Sequence, residues 1–255
     1  MNPATDLDRY RAAPNLLRDR VILVTGAAAG VGRAASLTFA AHGATVVLLD
    51  RDQSALEALY DTIETAGHAQ PALVPMDLEQ IDEPSFQGLA VTLDQEFGRL
   101  DGLLHNAAIA PFLSRVDDYD LEVWQQVLQV NLTAPFLLTQ VCLPLLRRAE
   151  DASVLFTSDR LGRRGRAYWG AYGVSKFALE GLMQILADET SGGNIRCNSI
   201  DPGAVRTGMR ARLYPGENPE RLPRPEAILG TYLYLMGPDS RGITGQAFSA
   251  QPHAA

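Results

Sequence analysis

Cysteine is scarce in this chain: two residues, Cys142 and Cys197, among 255. They stand far apart in apolar or strand-like segments, and no Cys-x-x-Cys or Cys/His cluster accompanies them. A disulfide-stapled scaffold and a zinc site are therefore not expected, and buried free thiols are. Excess positive charge is missing as well. The formal net charge is -8, whereas nucleic acid and anionic membranes select basic surfaces, so neither is expected as a partner. The first twenty residues hold Asp6, Asp8, Arg9, Arg11, Arg18, Asp19 and Arg20 without an apolar core stretch, which predicts no secretory signal. No run reads as long enough to span a membrane. A reducing, cytoplasmic setting is the expectation.

What is present is core-forming material: 46% hydrophobic and 20% charged residues, the balance of a soluble globular protein. Short apolar runs alternate with longer helical patterns. Val21-Ile22-Leu23-Val24 is continuously apolar, as a parallel strand buried on both faces should be. Further strand signals fall at 45–49, 72–76, 102–105, 154–157, 195–200 and 247–249. Helical patterns fill most of the gaps, at 31–41, 54–66, 86–97, 121–148 and 171–189. This alternation specifies an α/β protein with a doubly wound parallel sheet. No repeat or linker divides the chain, so an N-terminal extension over 1–20 and a single domain over 21–255 are expected. Within it, the proline-rich stretch at about 204–225 is too long for an ordinary connection and reads as a lid.

The first strand feeds directly into Thr25-Gly26-Ala27-Ala28-Ala29-Gly30-Val31-Gly32 and then a helix. That arrangement gathers free backbone N–H groups and the positive end of a helix dipole, which together suit phosphate. Asp50 ends the next strand, 18 residues beyond Gly32, close to the ~20-residue offset of an acid that binds a ribose 2′-hydroxyl. A carboxylate there repels a 2′-phosphate, which favours NAD. Arg51, immediately after it, is able to pair with that phosphate and keeps NADP as the alternative; a solvated arginine opening the next helix is its plainer reading.

Tyr172 and Lys176 are four apart in a helical pattern and share one face. A phenol with a pKa near ~10 exchanges protons poorly at neutral pH, and an adjacent ammonium lowers that value. Asp159 stands thirteen residues before the tyrosine. Between them Arg160, Arg163, Arg164 and Arg166 form a basic run, which is able to attract an anionic substrate, to clamp Asp159, or simply to face solvent.

The glycine spacing Gly26-x-x-x-Gly30-x-Gly32, together with Tyr172-x-x-x-Lys176, resembles the short-chain dehydrogenase/reductase family over nearly the whole chain. The segments Gly162 to Tyr172, Tyr232 to Gly237 and Ala250-Gln251-Pro252 are similar to its YciK-like subgroup. The resemblance implies a three-layer α/β/α Rossmann fold with a mostly parallel, seven-stranded sheet. It implies an NAD(P)-dependent oxidoreductase moving hydride between nicotinamide and a small carbonyl/alcohol substrate. In that family the tyrosine exchanges the proton and the lysine also binds the nicotinamide ribose. Asn131 matches a helix asparagine supporting a proton-relay water. Asp77 and Leu78 match residues beside the adenine, and Asn106 matches the family's Asn-Asn-Ala-Gly segment, in which His105 reads as a structural substitution. Pro202, Gly203 and Thr207 match the segment bordering the nicotinamide. Thr25 and Val31 belong to the glycine motif. The helices at 132–146 and 171–187 match those that build a homodimer, often doubled into a homotetramer.

Asp159 is the departure, because the family normally has serine there. An ionised carboxylate repels both a tyrosinate and an alkoxide developing on the substrate. Three outcomes stay open: Asp159 is protonated and donates as the serine would, it pairs with a cationic C=N substrate, or chemistry is lost and the protein binds dinucleotide as a sensor or assembly partner. Pteridine reductases of this family carry an aspartate at this place, although their arginine within the glycine motif has no counterpart here. A loop-edge aspartate facing an arginine is the plainest reading.

Overall fold

The computed structural model describes Leu7 and residues 10–251. Asp6, Asp8, Arg9 and Pro252, used above, lie outside the described residues. Seven strands form one parallel sheet: β1 (Val21–Thr25), β2 (Thr45–Asp50), β3 (Ala72–Pro75), β4 (Gly102–His105), β5 (Ala152–Thr157), β6 (Ile195–Asp201) and β7 (Ala247–Ser249). Their order is β3-β2-β1-β4-β5-β6-β7, and the register Leu23↔Val47 and Leu23↔Leu103 joins the two halves at β1. The order reverses between β1 and β4, and the crevice beyond their C-terminal ends is where such sheets bind ligands.

Successive strand residues point to opposite faces, and the apolar runs therefore feed two cores. Ile22, Val24, Val46 and Leu48 pack on one face against α1 (Gly30–Ala41), α2 (Gln53–Thr65) and α8 (Leu229–Met236). Leu23, Val47, Leu49 and Leu103 pack on the other against α3 (Glu83–Phe97), α5 (Ala134–Leu146) and α6 (Gly170–Glu189). The continuous strand hydrophobicity thus has its cause in two-sided burial. Asp52 and Asp82 cap α2 and α3 by accepting from Ala55 N and Ser85 N, both at 3.0 Å.

Two expectations about the ends of elements need correction. Residues 10–20 are part of the domain: Leu16 and Leu17 are buried in the α1/α8 core, and the Tyr10 hydroxyl donates to Asp239 at 2.6 Å. The stretch Leu121–Leu146 runs on for 26 residues and contains an 18-residue window of mean hydropathy 1.3, long and apolar enough by those measures to cross a membrane. In this fold Leu138, Cys142 and Leu145 lie in the core beneath the sheet. The stretch comprises α4 (Leu121–Leu128), a π-helical turn at Gln129–Thr133, and α5.

The lid stretch is ordered by its own charges. It contains α7 (Gly208–Leu213) and a 3₁₀ turn at Pro219–Arg221. Arg206 pairs with Glu220 at 3.0 Å and Arg210 with Glu217 at 2.6 Å, while the Arg210 guanidinium stacks 3.7 Å from the Tyr214 ring centre.

Candidate active site

A cleft of about 400 Å³ opens at the β1/β4 crevice. Gly26 and Gly30 turn the chain there with φ of +68° and +53°, a region that penalises any side chain. A Cβ on Gly26 would sit 2.9 Å from Ala107 Cα, and one on Gly32 only 2.0 Å from the Gly26 carbonyl oxygen. The turn is thereby pressed against both the segment just after β4 and the start of α1. Ala29, at the N-cap of α1, has no side chain to accept from the first N–H groups. Those donors and the helix dipole face the cleft, as an anionic diphosphate group requires.

Gly26, Gly30, Val31, Asp50 and Asn106 line this cleft from the glycine side, and Asp159, Tyr172, Lys176, Pro202, Gly203 and Thr207 from the other. Arg51, Asp77 and Leu78 line an adjoining hollow that shares Gly26 and Asp50. Thr25 and Gly32 lie behind the surface. The Thr25 hydroxyl oxygen accepts from Asn106 N at 3.0 Å and Ala107 N at 3.1 Å. Both Asp50 oxygens are engaged by the chain itself, accepting from Ala28 N and Asp52 N at 3.1 Å. Arg51 is exposed, with Glu79 4.0 Å away.

At the opposite end of the cleft, β5 delivers Asp159 and α6 delivers Tyr172 and Lys176. The Tyr172 hydroxyl donates to Asp159 Oδ2 at 3.3 Å, while Asp159 Oδ1 accepts from Leu161 N at 2.9 Å. No arginine forms an ion pair with Asp159 among the described residues; Arg163 turns instead to Glu180. Lys176 is 2% exposed, its Nζ donates to Thr157 O at 2.8 Å and lies 5.4 Å from the Tyr172 ring centre. Burial brings the lysine down to about 8, against the pull of Asp159, Glu180 and Asp201.

The expectation that the ammonium lowers the tyrosine is overturned. Burial, then the charge and hydrogen bond of Asp159, then Asp201, hold the Tyr172 phenol well above its ordinary value. Lys176 directs its proton to a backbone carbonyl rather than to the phenol. Asp201 was not legible as a site residue. Its Oδ1 accepts from Gly203 N at 2.8 Å, and burial and Asp159 raise its carboxyl. Its place immediately before Pro202-Gly203 was the available signal.

Asn131 sits in the π turn, fully buried and away from the cleft lining. It accepts from Ile109 N at 2.8 Å and donates to Ile109 O at 3.0 Å and Ser175 Oγ at 3.1 Å. With both amide hydrogens engaged, it braces the segment after β4 against α6. His105 is structural as expected: it stacks on Phe156 at 4.7 Å, and burial lowers it to about 3. Trp169 and, from the lid, Met209 and Tyr214, absent from the sequence-based site, also line the cleft.

The family model for short chain dehydrogenases matches residues 20–218. A Pseudomonas syringae protein described as a short chain dehydrogenase is 56% identical, with a TM-score of 0.93 over 95% of this chain and 98% of that one. The oxidoreductase YciK of Escherichia coli K12 is 46% identical over 95% of this chain and 96% of its own. A Shigella flexneri short chain dehydrogenase complexed with NADP is 46% identical, with a TM-score of 0.92, covering 94% of this chain and all of that one. The chain belongs to the short-chain dehydrogenase/reductase family and is an oxidoreductase enzyme of that family.

Proposed function

We propose that the enzyme uses NADP(H) to interconvert a small carbonyl/alcohol or imine/amine substrate at the junction of Tyr172 and Asp159. The observation that carries this reading is the Tyr172–Asp159 hydrogen bond at the floor of a cleft whose far end is a phosphate-suited glycine turn. When bound, the nicotinamide cofactor donates or accepts the hydride. Backbone N–H groups at Gly30 to Gly32 would hold its diphosphate, and the Lys176 ammonium would hold the neighbouring ribose.

The NAD preference expected from Asp50 gives way to NADP. The Shigella relative is complexed with NADP, and the two Asp50 oxygens accept from Ala28 N of the glycine turn and from Asp52 N just after β2. Arg51 and Arg212 line the adenosine-side hollow and supply the positive charge that a 2′-phosphate requires.

The phenol of Tyr172 keeps its proton in this setting and acts as a donor. A carboxylate beside it disfavours a developing oxyanion and favours a positively charged C=N group, so the imine/amine reading is the better supported of the two. NADPH oxidation measured over ketones, quinones and cyclic imines tests the proposal. Tyr172→Phe should lower turnover by roughly 10²–10⁴-fold, the worth of a positioned proton donor. Undiminished turnover would overturn it. We also propose a homodimer or homotetramer built through α5 and α6, and a cytoplasmic location.

A further inference from the structure

A second recess, of about 210 Å³, opens beside the first and shares Asp159, Trp169, Gly203, Arg210 and Tyr214 with it. Its remaining wall carries Arg160 and Arg166. The arginines around it differ in one respect. Arg163 donates to Phe248 O at 3.0 Å and faces Glu180 at 3.5 Å, and Arg210 is held by Glu217 and Tyr214. Arg206, further along the lid, is held by Glu220. The Arg160 and Arg166 side chains make no hydrogen bond or ion pair among the described residues; the Arg160 guanidinium acts through space on Asp201. The recess also holds two acids, each already engaged by neighbouring donors. Asp159 accepts from Tyr172 and Leu161, and Asp201 from Gly203.

We infer that the recess is a substrate subsite for an anionic group, a carboxylate or a phosphate, taken up by the Arg160 and Arg166 guanidinium groups. A guanidinium presents a planar fork of donors that matches two oxygens of such an anion. Trp169 and Tyr214 offer flat apolar walls to whatever joins that anion to the reacting carbon. The substrate is thus bipolar in its demands: a reducible C=O or C=N at Tyr172 and Asp159, and an anionic tail one recess away. This inference rests on the reduction proposed above, in that the same cleft holds the reacting atoms.

Matched pairs test it. With NADPH, acetophenone is compared with 4-acetylbenzoate, and 3,4-dihydroisoquinoline with its ring carboxylate. Separately, benzoate and inorganic phosphate are titrated into the NADP⁺-loaded protein and followed by tryptophan fluorescence. The anionic member of each pair should show the lower KM. Arg166→Ala and Arg160→Ala should each cut the anionic-to-neutral preference in kcat/KM about ten- to hundred-fold. The loss should lie in KM, with partial rescue by Arg166→Lys. Benzoate or phosphate binding should weaken by the same factor, whereas Arg164→Ala, outside the recess, should leave the preference as it was. Anion binding that depends on Arg160 and Arg166 in a protein that turns over none of the compounds would uphold the subsite and defeat the reduction reading. Turnover without any preference for the anionic member, or a preference untouched by both alanine variants, would overturn the subsite and leave the reduction reading standing.

Discussion

The Tyr172 hydroxyl donates its proton to a carboxylate, Asp159 Oδ2, at 3.3 Å. That contact favours the protonated phenol and sets an acidic side chain beside it. Replacing the carboxylate by a neutral donor should therefore change what is reduced more than whether anything is. Asp159→Ser should raise ketone reduction, by supplying a donor to the developing oxyanion, and lower imine reduction by up to roughly 10²-fold. The measurement is the ratio of imine to ketone kcat/KM in both proteins. An unchanged ratio would place Asp159 outside the reacting shell.

Cofactor choice should divide between two neighbouring residues. Arg51→Ala should weaken NADP⁺ about ten-fold or more and leave NAD⁺ nearly as before, since only the former carries the phosphate. Asp50→Ala removes the hydrogen bond that ties Ala28 of the glycine turn to the end of β2, and so should weaken both cofactors together. Calorimetric titration of the two variants with the two cofactors checks this. Loss of NADP⁺ and NAD⁺ binding in equal measure in Arg51→Ala would show that charge at 51 is irrelevant.

His105 should make stability fall in mild acid. The Thr139 hydroxyl donates to Pro135 O at 2.7 Å, so His105 Nε2 must be the donor in its own 2.8 Å contact with Thr139 Oγ1. Nδ1 has no partner among the described residues, and the ring is held neutral, with its pKa lowered from 6.5 to about 3. The unfolded chain binds this proton first, so stability is lost as pH drops below 6.5. The loss is about 1.4 kcal/mol by pH 5.5. Urea unfolding at pH 7.5 and 5.5 should show that decrement in the unmodified protein and lack it in His105→Asn. Equal decrements in both would refute the assignment.

The apolar outer faces of α5 and α6 should be covered in solution. Phe136, Val174, Phe177 and Ile185 are 45–58% exposed, and Gly181 lies beside them with nothing within 4 Å of its absent Cβ. Patches of this kind mark contact surfaces. Light scattering should report a dimer or tetramer at micromolar concentration, and Gly181→Glu should dissociate it by forcing a charge into the contact. A monomer before mutation would sink the idea.

Much of the architecture was legible because its cause is periodic. The run Val21 to Val24 is apolar on both faces since cores lie on both faces, Gly26 and Gly32 are required by a backbone approach that no side chain tolerates, and Gly30 by its positive φ. The π turn at Asn131 was not legible, since one extra residue per turn leaves an apolar helix pattern looking like an α-helix. The direction of the Tyr172 shift was hidden for another reason: it depends on burial and on Asp201, which only the packing of β6 beside β5 brings near. The orientation of Asp50 was equally invisible, for the spacing that marks the residue says nothing of which amides its oxygens meet.

Gly162 permits the turn after β5 to lie so close to α6 that a Cβ there would fall 2.7 Å from the Lys176 carbonyl oxygen. The turn that Asp159 caps and the helix that carries Tyr172 and Lys176 are accordingly one mechanical piece. Lineages of this enzyme are then free to exchange the side chain at 159, acid for hydroxyl, without moving the phenol or the ammonium. Reaction chemistry becomes interchangeable on a fixed mount, while substrate shape is met by the separate 204–225 stretch.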